Sequence, residues 1–243
     1  APVTPPRVAL FPTCLGNRFF AEAVADAARL LRHVGVEVSV PAEATCCGQP
    51  AFNAGHRAEA ARMAGRLAEV LDGADWVVLP SGSCAAMVRN HAPTLVQGTR
   101  ADLARRVALR TRELSEFLVD EMGVHRLGDG LAGRRVAYHH GCHALRELRS
   151  REQPLTLLKG AGAEVVPWEA AEECCGFGGL FSAKLPAVST AMADRKLDTL
   201  PGVDAVVSAD GGCLMQLAGR AGHRGEGPPF RHLASVLWEG VST

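Results

Sequence analysis

Short apolar runs recur along the chain, each followed by a stretch with apolar residues at helical spacing. Arg7 to Phe11, Val36 to Val40 and Trp76 to Leu79 are the runs of the first half, and Arg134 to Tyr138, Glu164 to Val166 and Ala205 to Ser208 those of the second. Residues 17–33 carry apolar positions three and four apart with Gly35 as a stop, and residues 56–71, rich in Ala, Arg and Glu, end at Gly73. The second half repeats this order, with helices to about Lys159 and to Leu200. A fourth strand is expected at Val107–Leu109 with a helix over Thr111–Glu121, matched later by Phe230 and a helix over His232–Trp238. Residues 92–106 and Gly222–Pro229 read as loops, and residues 123–133, with four glycines, as a linker. Strands of about five residues alternating with helices of about 15 specify βαβ units and parallel sheets. The expectation is an α/β protein of two tandem duplicated domains, 1–125 and 126–243, each a small parallel sheet flanked by helices and related by a pseudo-two-fold.

The duplication is carried by the cysteines: Cys14, Cys46, Cys47 and Cys84, then Cys142, Cys174, Cys175 and Cys213. The first cysteine precedes the vicinal pair by 32 positions in both sets (46 − 14 and 174 − 142), and the last follows the pair by 37 and 38 (84 − 47 and 213 − 175). Cys46-Cys47-Gly48 matches Cys174-Cys175-Gly176, Gly82-Ser83-Cys84 matches Gly211-Gly212-Cys213, and Gly35 to Val38 matches Gly162 to Val165. A period of about 128 residues is too long for a solenoid and indicates two fused domains.

Each cysteine follows an expected strand, where open parallel sheets place their ligands. Cys14, Cys142, Cys84 and Cys213 fall at helix starts, whose partial positive charge favours thiolates. Gly48, Gly82, Gly176 and Gly211 let the backbone turn or approach closely, so that amides point at a buried anionic centre. They are the candidate cofactor-binding residues, and the eight cysteines the candidate metal ligands. Thiolate sets without carboxylates suit iron–sulfur clusters or zinc and argue against calcium or magnesium.

Composition narrows the remaining classes. Lys+Arg and Asp+Glu are 26 each, so no global field draws in a polyanion, and nucleic acid is not an expected partner. An apolar content of 47% with 21% charged is that of a globular chain with core enough to fold without staples. No run approaches the ~18 apolar residues of a membrane span, and Ala1 to Pro6 has no leader pattern. These features point to a cytoplasmic protein, where eight thiols serve metal or redox chemistry rather than disulfides. Gly176 to Phe181 lacks the third glycine of a dinucleotide loop.

The doubled Cys-x31-Cys-Cys-Gly pattern closed by a last cysteine, with Phe11-Pro12-Thr13-Cys14, Ser81-Gly82-Ser83-Cys84 and His139-His140-Gly141-Cys142-His143 around it, resembles the cysteine-rich CCG domain family. Heterodisulfide reductase and glycolate oxidase iron–sulfur subunits belong to it, as does a lactate-utilisation branch made of two CCG domains alone. The resemblance covers nearly the whole chain. It implies [4Fe–4S] clusters, one or two per chain, in an oxidoreductase subunit that relays electrons as L-lactate or a related 2-hydroxy acid becomes the 2-oxo acid, beside other iron–sulfur subunits. Zinc at one site stays open, as do a thiol/disulfide reductase and a zinc-binding interaction protein. The family motif often ends Cys-x2-Cys, and Met87 and Gln216 stand at those fifth-cysteine positions.

Other candidates flank the first cysteines. His139, His140 and His143 have no counterparts in the first half, and His143 and His140 are favoured over His139 as proton carriers, ligands or donors to sulfur. Arg18 and Arg146 lie four residues after Cys14 and Cys142, on the same helix face if the helix continues, where they could neutralise cluster charge or hold a carboxylate.

Overall fold

The computed structural model describes residues 5–225 and 227–241. The first half runs β1 (Arg7–Leu10), α1 (Cys14–Phe19), α2 (Ala21–His33), β2 (Glu37–Ser39), α3 (Gln49–Asn53), α4 (Arg57–Leu71), β3 (Trp76–Leu79), α5 (Gly82–Ala86), α6 (Ala92–Leu95), α7 (Ala101–Leu109), β4 (Thr111–Glu113) and α8 (Leu114–Glu116). The second runs β5 (Arg135–Tyr138), α9 (Glu152–Gly160), β6 (Glu164–Val165), α10 (Leu180–Lys184), α11 (Pro186–Asp198), β7 (Ala205–Ser208), α12 (Gly211–Arg224), β8 (Phe230–His232) and α13 (Leu233–Val241). Single π-helical turns extend α5 (Met87–His91) and α8 (Phe117–Glu121), and another follows Cys142 (Ala144–Leu148).

Each half is a four-stranded parallel sheet, in the order β2-β1-β3-β4 and β6-β5-β7-β8. The register repeats too: Val8 pairs with Val38 and Trp76, and Val136 with Val165 and Ala205. Parallel strands are covered on both faces, which is why they read as continuous apolar runs. Alternation along β1 sends Val8 and Leu10 into one core and Ala9 and Phe11 into another.

The larger core belongs to both halves. Leu30 and Leu31 of α2, Leu114 of α8, Leu157 and Leu158 of α9, and Leu233 and Leu237 of α13 meet there between the two sheets. Each fully buried leucine contributes roughly 1.5–3 kcal/mol. α13, from the end of the chain, lies along α2, near its start. The linker is tied in as well, with Gly130 N donating to Gly240 O and Leu131 N to Ala161 O, both at 3.0 Å.

Several boundaries differ from the sequence pattern. Val107–Leu109 ends helix α7, whose buried face is Ala104, Val107 and Ala108, and the fourth strand follows at Thr111–Glu113. That strand buries Thr111 and Glu113, so its burial is invisible to a hydrophobicity count. The helix expected over Thr111–Glu121 accordingly starts at Leu114, and the stretch 92–106 holds α6, a 3-10 turn and most of α7. The expected helix 17–33 breaks at Phe20 into α1 and α2. α12 continues to Arg224, shortening the loop expected from Gly222. No helix among the described residues is long and apolar enough to cross a membrane.

Candidate metal centre

The cysteines occupy equivalent places in the two halves. Cys14 opens α1 directly after β1, and Cys142 opens the turn after β5. Cys84 and Cys213 are third residues of α5 and α12. The vicinal pairs sit in turns closed by Gly48 and Gly176, both at positive φ (90° and 85°). A Cβ on Gly176 would lie 2.5 Å from Ser189 O, so helix α11 packs against the bare backbone of the turn. Gly82 and Gly211 instead permit contact between halves, since their Cβ atoms would meet Ala144 at 2.5 Å and the Phe20 ring at 2.8 Å.

All eight cysteines are free thiols. Cys47 Sγ lies 3.4 Å from Cys84 Sγ, and Cys175 Sγ 3.0 Å from Cys213 Sγ. The amides of Gly48 and Gly176 donate to Cys46 Sγ and Cys174 Sγ, both at 3.5 Å. The neighbouring thiol, and then burial, pushes Cys14, Cys142 and Cys175 well above the usual thiol range. Thiols this crowded cannot all ionise without a cation among them. Two all-sulfur sets with amides aimed at sulfur fit an iron–sulfur cluster or a soft metal ion.

Both sets face one cleft of about 230 Å³, lined by every cysteine except Cys46. That volume is below the roughly 300–1,000 Å³ of pockets for drug-sized ligands. The cleft joins the carboxyl ends of the two sheets, as the pseudo-two-fold reading anticipates, and polar groups clasp it from both sides. Asp210 Oδ1 accepts from Ser81 Oγ (3.1 Å) and Ser83 N (3.0 Å) of the other half. His232 Nδ1 accepts from Ala234 N (3.1 Å), which leaves Nε2 protonated to donate to Pro80 O at 3.0 Å, and burial keeps the ring neutral by lowering its pKa.

The flanking candidates separate. His143 lines the cleft, with Nε2 3.4 Å from Gln49 Nε2 and Nδ1 2.5 Å from Glu147 Oε1. Glu147 also meets His91 at 2.7 Å. His140 is buried against Tyr138, ring centroids 4.8 Å apart, and is absent from the cleft lining. Arg18 and Arg146 are exposed and outside the cleft lining. Arg18 keeps its four-residue spacing to Cys14 within α1, whereas the turn after Cys142 is a π turn, in which four-residue spacing no longer superposes side chains. Arg146 lines an open groove with Arg149, Arg151 and Glu172. His139, ranked last by sequence, faces Cys175 and Cys213, and burial pushes it down to about 3. Asp210, Glu147 and the buried Lys196 carry no motif. Superposing the repeats would have flagged Asp210, which stands opposite Ser81. At the fifth-cysteine positions Met87 is core, and Gln216 donates to Ser189 Oγ (2.8 Å), which in turn donates to Gly176 O (2.8 Å). Both side chains therefore brace the site instead of ligating.

Comparison with known proteins recovers the duplication. The family model of the Cysteine-rich domain, CCG, matches twice, at residues 8–89 and 136–218. Lactate utilization protein A of Geobacillus sp. (strain WCH70) is 40% identical over 236 residues, 95% of this chain and 98% of that protein. Lactate utilization protein A 2 of Bacillus cereus (strain Q1) is 35% identical over 241 residues, covering 97% and 99%. A crystal structure of a hypothetical protein from Helicobacter pylori shares the fold at TM-score 0.59 and 10% identity, over 99% of this chain and 50% of that one.

Proposed function

The chain belongs to the cysteine-rich CCG domain family, and from that premise we propose that it is the iron–sulfur subunit of a complex oxidising L-lactate, or a related 2-hydroxy acid, to the 2-oxo acid. The observation that carries the reading is the meeting of both cysteine sets at one cleft. Relatives named for lactate utilisation, matched over almost their whole length, supply the substrate class. Cys14, Cys46, Cys47 and Cys84 would hold one group, and Cys142, Cys174, Cys175 and Cys213 the other. When bound, such a group supplies one-electron carrier chemistry.

The protein's part is to hold and insulate. Cys47, Cys84, Cys175 and Cys213 are buried, which limits water at the sulfurs. The Gly48 and Gly176 amides and the starts of α1, α5 and α12 stabilise negative charge on sulfur. Asp210 and His232 fix the distance between the halves, and hence between the sets. His143, hydrogen-bonded to Glu147 at the cleft, is the group placed to carry a proton. Electron-accepting subunits and the small acid complete the complex in this reading.

Anoxic purification followed by iron, sulfide and zinc analysis tests it. Roughly four or eight irons with equal sulfide per chain are expected, with Cys47→Ser and Cys175→Ser each losing one set. A colourless protein with stoichiometric zinc would refute the cluster and favour an interaction module.

A further inference from the structure

The repeat makes the two cysteine sets comparable position by position, and they are not equal. Phe11 in the first half is replaced by His139 in the second. Phe11 sits in an apolar core. His139 is equally buried, 0% exposed, yet neither ring nitrogen has a hydrogen-bond partner among the described residues. A buried imidazole left in this way carries a desolvation cost that the nearby Ala171 backbone offsets only in part.

What lies beside it is sulfur. A ring nitrogen of His139 and the Sγ atoms of Cys175 and Cys213 all fall within 4.8 Å of one another. Donors around one ion, at about 2.3 Å for sulfur and 2.0–2.1 Å for nitrogen, stand roughly 3.5–3.8 Å apart in a tetrahedron. Small side-chain shifts therefore suffice to close the three on a common metal. The ring is also braced from behind. It meets Trp168 edge-on at 6.4 Å, and the indole N–H is anchored on Lys196 O (3.3 Å) and Thr199 Oγ1 (3.1 Å). Lys196 Nζ lies over the same indole, 4.1 Å from its centroid, and donates to Ala170 O. Leu67 is the residue at the Lys196 position of the first half, where Ala60 and Met63 pack on Gly48 as Ser189 and Met192 pack on Gly176, so that half lacks both imidazole and ammonium.

We propose that His139 is a metal ligand in the second set, together with Cys175, Cys213 and one further thiol of that set, so that the chain holds one all-thiolate site and one mixed nitrogen–sulfur site. This rests on the reading of the cysteine sets as metal sites. At an iron site, exchanging an anionic thiolate for a neutral imidazole raises the reduction potential. With Lys196 alongside, the second site is the one reduced first.

The test is pulsed EPR on anoxically purified, dithionite-reduced protein labelled with [15N]histidine. The expected result is one directly coordinated nitrogen, retained in Cys47→Ser and lost in His139→Phe, a variant carrying the residue that the first half already accommodates. Wild-type protein with iron in both sets and no coordinated nitrogen would overturn the proposal, as would a coupling that survives His139→Phe. If metal analysis finds no iron, the cluster reading fails separately, and Co²⁺ titration of the metal-free protein reads the ligand. There, His139→Phe is expected to weaken one of two Co²⁺ equivalents at least about tenfold, and unchanged affinity would refute ligation.

Discussion

Glu113, at the end of β4 and only 2% exposed, ties stability to pH. Its Oε2 caps α8 by accepting from Ser115 N at 2.7 Å, while Glu116 Oε2 accepts from Glu113 N at 3.0 Å. Its Oε1 has no partner among the described residues. Burial, with Glu116 and Asp210 adding like charge, pushes this carboxyl up to about 8 from 4.5. Between those values the folded chain binds a proton that the unfolded chain has lost, so stability falls as pH rises through the window. Below about 4.5 the contribution is fully present; above about 8 it is gone. Glu113→Gln keeps one acceptor for the cap and cannot ionise. Melting curves at pH 5 and pH 8 are expected to show a wild-type drop that this variant largely abolishes, and an equal drop in both would place the pH sensitivity elsewhere. Nothing in the sequence marks Glu113, since a glutamate beside Leu114 looks like a solvated helix start. The cysteines, by contrast, were legible because spacing alone duplicates them. His139 was ranked behind its neighbours because strand alternation, which turns His139 toward sulfur and His140 toward Tyr138, takes effect only once the strand end is placed.

Among elements, the turns joining strand to cysteine are where the pattern was most readable. Glycine followed by helical periodicity marks them in both halves, and β3 and β7 fall where the apolar runs place them. The edge strands were less readable. β4 is three residues with a charged pair, and its identity comes from pairing to β3 rather than from its own composition. The turn glycines at positive φ are not interchangeable, which gives a quantitative expectation. Gly35 ends α2 at φ 85° with open space around the missing Cβ, so Gly35→Ala suffers backbone strain alone, about 1 kcal/mol. Gly176 has the same φ, but its Cβ would lie 2.5 Å from Ser189 O. Gly176→Ala must also displace α11 and the Ser189 hydroxyl bonded to Gly176 O, adding roughly 1–3 kcal/mol. Chemical denaturation of the two variants is expected to show the larger loss for Gly176→Ala, with metal content reduced in that protein only. Equal losses would mean that the turn tolerates a side chain and that its geometry does not depend on α11.

For the whole molecule, the duplication invites a picture of two domains joined by a linker, and the packing argues for one cooperative unit. Val8 and Leu10 of the first sheet share a core with Val136 and Tyr138 of the second. α13 completes the surface of α2, and the linker hydrogen-bonds into the second half. At the cleft the backbone of Gly82 packs on the Ala144 side chain and that of Gly211 on the Phe20 ring, each from the other half. Cutting the chain near residue 125 would expose Leu30, Leu31, Leu233 and Leu237 together, an apolar surface that neither half could cover alone. Calorimetry of the full chain is therefore expected to give a single transition with equal calorimetric and van't Hoff enthalpies. Leu237→Ala should lower that transition by about 2–5 kcal/mol without splitting it. Two resolved transitions, or a folded fragment 1–125, would instead show that each half stands by itself. The distinction bears on the site, because a metal held at a cleft between coupled halves stabilises both by mass action. Loss of metal from either set should then lower the same single transition, and the two cysteine sets would report on one folding equilibrium.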